Sequence, residues 1–144
     1  MLLDRINIGG MAEIWRGKAW SGGTERLVAI KRILPNIAED EEFIGMFIDE
    51  AKITVQLTHA NIAQIYELGH NPLARSYFIA MEYIAGRDLR AIFDRGRRVG
   101  EALPPPVACY VMAKACEGLD YAHRKKDGAG REMHIVHRDV SPQN

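Results

Sequence analysis

The apolar residues of this chain change their spacing along its length, and the change separates a region of strands from a region of helices. Short apolar runs bounded by glycine or proline are typical of strands. They predict two strands around a turn over residues 2–18 and single strands over residues 27–33, 62–68 and 77–83. Helical spacing predicts a helix over residues 41–57, a short helix over residues 89–94, and a long helix that begins at Pro104-Pro105-Pro106 and ends near residue 123. The pattern therefore predicts five strands with one helix among them, followed by helices alone.

The helix predicted over residues 41–57 carries an acidic residue within its apolar stripe. The stripe consists of Phe43, Met46, Phe47, Ala51, Thr54 and Leu57. Glu50 falls on the same stripe, and a buried carboxylate is costly unless a cation pairs with it. Lys31 ends the strand sequence Val28-Ala29-Ile30-Lys31 and is the predicted partner. In the alternative, Glu50 lies at the edge of the stripe and reaches water, and Lys31 is a solvated strand end.

A glycine pair near the start of the chain predicts a hairpin turn. Gly9-Gly10 lies between two apolar runs, and a turn without side chains lets phosphates approach backbone amides closely. In the phosphate-binding pattern G-x-G-x-x-G-x-V, Gly9 matches the second glycine and Ile14 takes the valine position, whereas Asn7 and Ala12 replace the first and third glycines. An ordinary turn between two strands is the alternative.

The other end of the chain carries His137-Arg138-Asp139, with Asn144 five residues after the aspartate. A loop with this spacing can aim the Asp139 carboxylate at an incoming hydroxyl, while the Asn144 amide holds a metal ion against the same phosphates. By itself, such a triplet before a proline is equally well explained as a solvated loop.

Taken in this order, the motifs resemble those of the eukaryotic-like Ser/Thr protein kinases of bacteria. The resemblance rests on the Gly-Gly-Met-Ala-Glu turn, Val-Ala-Ile-Lys, the helical Glu50 and the loop His-Arg-Asp-Val-Ser-Pro-Gln-Asn, and it extends over essentially all 144 residues. It implies an α+β fold. Residues 1–84 are expected to form the small lobe, a five-stranded antiparallel sheet with one helix, together with the hinge strand. Residues 85–144 are expected to begin a helical large lobe that ends at the catalytic loop.

The resemblance also implies a reaction and the residues that carry it. The reaction is transfer of the γ-phosphoryl group of ATP, with Mg²⁺, to hydroxyl groups of a protein substrate. The implied catalytic residues are Asp139, Lys31 and Glu50, and the implied metal ligand is Asn144. The implied ATP-binding residues are Ile8, Gly9, Gly10, Ile14, Ala29, Lys31, Met81, Glu82, Ile84 and Asp88. Among these, Met81 is the expected gatekeeper, the backbone of Glu82 and Ile84 is expected at the adenine edge, and Asp88 is expected at the ribose.

Two departures from the family pattern leave a second interpretation open. No Asp-Phe-Gly triplet follows Asn144, and Ser141 stands where most Ser/Thr kinases have a lysine that reaches the γ-phosphate. We interpret the chain as a fragment of a larger kinase and expect it to be inactive alone, with the apolar face of its long helix in need of a covering partner. The alternative is a non-catalytic, pseudokinase-like module that binds nucleotide or another protein.

Composition limits the functional classes further. The 19 basic and 19 acidic residues cancel, so the charge does not favour a nucleic-acid partner. Residues 107–113 form the longest apolar run, which is too short to span a membrane, and the absence of a leader makes the cytoplasm the expected compartment. Cys109 and Cys116 lie on one face of the long helix, about two turns apart, and are expected to be buried thiols. The basic runs over residues 95–98 and 124–126 are expected to be solvated loops.

Overall fold

The computed structural model describes residues 1–72 and 76–143 and contains five strands and three helices within them. The elements are β1 (Leu2–Ile8), β2 (Ala12–Ser21), β3 (Thr24–Ile33), α1 (Glu41–Thr54), β4 (Ile65–Asn71), β5 (Ser76–Glu82), α2 (Leu89–Val99) and α3 (Pro105–His123). The strands form one antiparallel sheet in the order β1-β2-β3-β5-β4. The sheet with a single helix that the sequence predicts is therefore present.

The hairpin of β2 and β3 sets the register of the sheet. Gly22 and Gly23 connect the strands with φ values of +59° and +81°, a left-handed conformation that side chains other than glycine rarely adopt. Because the turn contains two residues, each pair of opposite residues in the hairpin is fixed from Ser21 opposite Thr24 down to Ala12 opposite Ile33. The turn thus decides which side chains of β2 and β3 share a face of the sheet.

The core lies between the sheet and α1. Ile33, Phe47, Ala51, Ile65 and Ile79 are buried there together. Asp40 precedes the helix as its N-cap, and its carboxylate accepts a hydrogen bond from the Phe43 amide at 3.1 Å. Each buried aliphatic or aromatic side chain of this size contributes about 1.5–3 kcal/mol to the free energy of folding.

The buried stripe of α1 is narrower than the sequence predicts. Met46 is 56% exposed, whereas Phe47 and Ala51, which are spaced by four residues, lie on the helix face toward the sheet. The helix also ends at Thr54, so Leu57 is buried by the turn that follows and not by the helix. Met46 lies to one side of this face because each residue advances about 100° around the helix axis.

The helices after the sheet correct two expectations. The run over residues 95–98, expected as a loop, lies inside α2, which Asp88 caps and which ends at Gly100 with a φ of 74°. The basic residues are helical because the caps at Asp88 and Gly100 define a longer helix than the apolar pattern predicts. Cys109 and Cys116 are exposed on α3, although the sequence predicts buried thiols. The end of α3 at His123 and the following basic run outside the helix agree with prediction.

The chain divides into two compact units. One consists of Met1–Thr58 and Ala63–Ile84, and the other of His59–Ile62 and Ala85–Asn144. Within the second unit, the His59 ring stacks on Tyr121 of α3 with centroids 5.1 Å apart, and Asn61 Nδ2 donates to Glu117 Oε2 at 3.1 Å. No helix in the described part of the chain is long and apolar enough to cross a membrane.

Candidate active site

The glycine turn between β1 and β2 is tied to the sheet at its base. The Gly9 amide donates to the Ala12 carbonyl at 2.9 Å, and the Leu34 amide donates to the Met11 carbonyl at 3.1 Å. Neither glycine of the turn has a positive φ, and a Cβ added at Gly10 would meet no atom within 4 Å. The fold of this chain therefore does not require glycine at position 10, and the missing side chain leaves the turn open to close approach from outside.

Lys31 and Glu50 form an ion pair between β3 and α1. Lys31 Nζ lies 2.7 Å from Glu50 Oε1 and 3.0 Å from Oε2. The Lys31 side chain is 27% exposed and that of Glu50 is 53% exposed. The predicted pairing is present, and the Glu50 carboxylate lies at the edge of the helix stripe and reaches water, as in the alternative that the sequence left open. The ammonium also lies 5.6 Å from the centre of the Phe47 ring, which holds the lysine stem against the core.

Four predicted site residues share one face of the sheet. Ile14 lies opposite Lys31, and Ala29 lies opposite Met81, so the register places all four side chains on the same side. Two residues further along β3, Ile33 contacts α1, which shows that this is the face that the helix covers. Ala29 is buried, and Ile14 and Met81 are half-buried. The face beyond the helix thus presents small and apolar side chains next to one amine.

Three other predicted ATP-binding residues lie elsewhere: two on the opposite face of the sheet and one after the end of β5. Ile8 pairs with Glu13 on the opposite face of the sheet and is 53% exposed. Glu82 pairs with Val28 on that opposite face, and its amide already donates to the Gln64 carbonyl at 2.8 Å. Ile84 follows the end of β5 and is 62% exposed.

The second unit carries the remaining predicted residues. Asp88 Oδ1 accepts a hydrogen bond from the Ala91 amide at 2.7 Å, so this carboxylate caps α2. Asp139 is exposed, and its amide donates to His137 Nδ1 at 3.3 Å. Between them in the triplet, Arg138 adopts a left-handed backbone with a φ of 65°, which costs about 1–2 kcal/mol for a residue other than glycine. Such strained residues are concentrated at functional sites.

The predicted metal ligand, Asn144, lies outside the described residues. Within the described ranges, no group of three or more histidine, cysteine, aspartate or glutamate side chains is arranged to hold a metal ion.

A buried acid next to the glycine turn was not predicted. Glu13 is 5% exposed on the face opposite Lys31, and Arg32 Nε donates to its Oε1 at 2.8 Å. Burial alone raises the pKa of Glu13, but the hydrogen bonds from Arg32, the neighbouring Trp15 side chain and the charges of Arg32 and Arg5 together outweigh burial, so the pKa lies below its ordinary value. The two-residue turn at Gly22-Gly23 was the available signal, because it places position 13 opposite position 32.

Comparison with known proteins decides the family. The sequence model of the protein kinase domain matches residues 3–144. The chain belongs to the protein kinase family. The kinase relatives include the tyrosine-protein kinase MasK of Myxococcus xanthus, which is 41% identical over 145 residues that cover 100% of the chain and 22% of MasK. The serine/threonine-protein kinase PksC of Streptomyces coelicolor is 32% identical over 99% of the chain and 24% of its own length.

A solved kinase structure agrees with the fold. The crystal structure of the PknI kinase domain of Mycobacterium tuberculosis matches with a TM-score of 0.73 and 25% identity, over 99% of this chain and 52% of that one. The α+β fold predicted from the sequence is thereby confirmed. The chain spans about a fifth to a quarter of the length of the curated kinases above.

Proposed function

We propose that this kinase chain binds ATP and contributes to phosphoryl transfer to serine or threonine hydroxyls of a protein substrate. The observation that carries the proposal is the ion pair of Lys31 and Glu50, with Nζ 2.7 Å from the carboxylate. An amine on a strand that a helical carboxylate holds in place is positioned to bind the α- and β-phosphates of a nucleotide. The half-exposed carboxylate orients the amine and leaves its third hydrogen-bond donor available to a phosphate oxygen.

The remaining nucleotide contacts are assigned to the same face of the sheet and to the turn. The Gly9-Gly10 backbone is assigned to the phosphates, since a Cβ at Gly10 would meet nothing within 4 Å. Ile14, Ala29 and Met81 are assigned to the adenine ring, because a small buried residue between two larger apolar ones leaves room for a flat ring.

The end of β5 and the residues after it are assigned to the polar edges of the nucleotide. The backbone of Glu82 and Ile84 is assigned to the adenine edge. Because the Glu82 amide already donates to Gln64, its contribution would come from the carbonyl oxygen. The Asp88 carboxylate is assigned to the ribose hydroxyls. The cap of α2 uses one acceptor site on Oδ1, and a carboxylate has further acceptor sites for the hydroxyls.

Asp139 is assigned the substrate hydroxyl. In the transfer, the bond between the γ-phosphorus and the oxygen that bridges it to ADP breaks, and the hydroxyl oxygen forms a bond to the same phosphorus. The proton of the hydroxyl group passes to the Asp139 carboxylate, which acts as base or orienting group. Mg²⁺ neutralises charge on the phosphate oxygens when it is bound, and Asn144 remains the proposed ligand from this chain.

A tyrosine hydroxyl is the second candidate acceptor. It is favoured by MasK, a relative that is named a tyrosine-protein kinase and is 41% identical to the chain. The protein relatives PksC of Streptomyces coelicolor and PrkC of Bacillus subtilis, at 32% and 33% identity, are named serine/threonine-protein kinases and support the first candidate.

Incubation of the complete protein with γ-labelled MgATP and a general protein substrate tests the proposal. Phosphoamino-acid analysis of the product distinguishes serine or threonine from tyrosine. We expect labelling of serine or threonine that is lost in Asp139→Asn and in Lys31→Met. Nucleotide binding without transfer by the unaltered protein would instead support the pseudokinase alternative, and the absence of nucleotide binding would refute the proposal.

A further inference from the structure

The unpredicted acid Glu13 lies where the glycine turn joins the sheet. It is the second residue of β2, and the register places it opposite Ile8 of β1 and opposite Arg32 of β3. Its side chain is only 6% exposed. Moving an ionised carboxylate out of water costs several kcal/mol unless cations and hydrogen bonds compensate. A carboxylate at this position therefore needs fixed partners on the neighbouring strands.

Two arginines provide the compensation, one from each neighbouring strand. Arg32 donates to Glu13 Oε1 from both Nε and the terminal nitrogen, and the Nε distance is 2.8 Å. Arg5 NH1 lies 3.8 Å from Glu13 Oε2. Both guanidinium groups also lie about 6 Å from the centre of the Trp15 ring, at 6.0 Å for Arg5 and 5.8 Å for Arg32. The three charged side chains, which we call the outer-face cluster, thus join β1, β2 and β3.

The outer-face cluster cannot reach the proposed phosphate-binding amine. Successive side chains of a strand point to opposite faces of the sheet. Glu13 is the neighbour of Ile14 on β2, and Arg32 is the neighbour of Lys31 on β3, so both lie on the face opposite Lys31. A role in nucleotide binding would therefore act through the backbone. The turn itself is held by the Gly9 amide on the Ala12 carbonyl and by the Leu34 amide on the Met11 carbonyl.

We propose that the outer-face cluster of Arg5, Glu13 and Arg32 is a positioning device that fixes the Gly9-Gly10 turn at the distance that nucleotide phosphates require. The proposal rests on the proposed function, because it presumes that the turn binds phosphates. The cluster fixes both strands that enter and leave the turn, so its loss lets the turn shift relative to Lys31. Adenine binding is assigned to Ile14, Ala29 and Met81, which the pairing of β2 with β3 and of β3 with β5 holds in place, so it is unaffected.

The test compares two neutral variants of the same hairpin. Glu13→Gln keeps the shape of the side chain and removes the charge that both arginines contact. Glu25→Gln is the matched control, since Glu25 pairs with Lys18 across the same two strands at 2.7 Å but at the other end of the hairpin. For each variant and the unaltered chain, calorimetric titration measures the affinity for MgATP and for adenosine, which has no phosphates.

We expect Glu13→Gln to bind MgATP about tenfold more weakly, which corresponds to about 1.4 kcal/mol, and to bind adenosine as the unaltered chain does. Glu25→Gln should bind both ligands normally. Equal affinity of Glu13→Gln for MgATP, or an equal loss for MgATP and adenosine, would overturn the positioning role. Failure of the unaltered chain to bind MgATP would overturn the proposed function and this inference with it.

A second variant separates positioning from simple destabilisation. Arg32→Gln leaves the buried Glu13 carboxylate with Arg5 alone, so this variant risks unfolding. The double variant Glu13→Gln/Arg32→Gln removes the uncompensated charge and should restore the folded state. We expect the double variant to fold and still to bind MgATP weakly while binding adenosine normally. Normal MgATP affinity in the folded double variant would contradict the proposal.

Discussion

Replacing Lys31 by methionine should separate nucleotide binding from stability. Methionine keeps an unbranched stem against Phe47 and removes only the charge that pairs with Glu50. The two side chains are 27% and 53% exposed, so the pair belongs to the solvent-screened class. Pairs of this class contribute about 0.2–1 kcal/mol, and we therefore expect the free energy of unfolding to fall by less than about 1 kcal/mol.

The effect on the nucleotide should be larger. A hydrogen bond from an ammonium group to a phosphate oxygen contributes about 1.5–3 kcal/mol, so its loss should weaken MgATP binding roughly 10- to 150-fold. Urea unfolding followed by tryptophan fluorescence measures the first quantity, and calorimetric titration with MgATP measures the second. Lys18→Met is the matched control, because Lys18 pairs with Glu25 at the same distance of 2.7 Å, far from the proposed site.

Two results would refute this reasoning. If Lys31→Met binds MgATP as the unaltered chain does, Lys31 does not contact the phosphates. If Lys31→Met lowers the free energy of unfolding by more than about 3 kcal/mol, the pair behaves as a buried ion pair. Its contribution to stability would then not follow from the exposure of its two side chains. The control should leave MgATP binding unchanged and should lower the free energy of unfolding by no more than about 1 kcal/mol, because Lys18 and Glu25 form a pair of the same solvent-screened class.

Three further predictions concern the pocket, the core and the response to acid. Ala29→Leu should abolish MgATP binding, because Ala29 lies buried opposite Met81 on the proposed adenine face, and a normal circular dichroism spectrum would show that the fold is kept. Phe47→Ala should lower the free energy of unfolding by about 3–5 kcal/mol, since this ring is 2% exposed in the core, and a loss below about 1 kcal/mol in urea unfolding would contradict its burial. The lowered pKa of Glu13 means that its pairing with Arg32 stabilises the fold above the pKa of the unfolded chain, about 4.3, and that this contribution is lost as pH falls through the lower folded value. The unaltered chain should therefore lose more stability than Glu13→Gln in urea titrations between about pH 5 and pH 2, and parallel losses would show that the pair is not coupled to folding.

The elements with a strong apolar period were predictable, and their limits were not. The predicted strand over residues 62–68 starts at Ile65 in the structure, because Ile62 belongs to the other compact unit. An apolar residue looks the same in sequence whichever unit buries it. Similarly, α2 extends five residues beyond the predicted end because Asp88 and Gly100, and not the apolar spacing, determine its length.

In the candidate site, too, the sequence predicts which motifs are present but not which side chains meet through the register of the sheet. Sequence order placed an acid on α1 within reach of Lys31, and the pair is present. The period of a helix cannot tell a buried position from one at the edge of a stripe, so the sequence left the exposure of Glu50 open, and the structure shows the edge position. Glu13 and Arg32 were missed because their pairing depends on the register of the β2–β3 hairpin, which the apolar pattern does not encode.

The segment His59–Ile62 changes how the two units can be separated. The chain passes from one unit to the other after Thr58, after Ile62 and after Ile84. A single cleavage between residues 84 and 85 therefore leaves His59–Ile62, which belongs to the second unit, on the first piece. The second piece would then lack Asn61, the partner of Glu117, and would expose the small face of α3 at Gly118, where an added Cβ would lie 3.2 Å from the Asn61 carbonyl. Limited proteolysis at this bond should therefore yield two pieces that co-elute in size-exclusion chromatography, and expression of the second piece alone should yield an incompletely folded product.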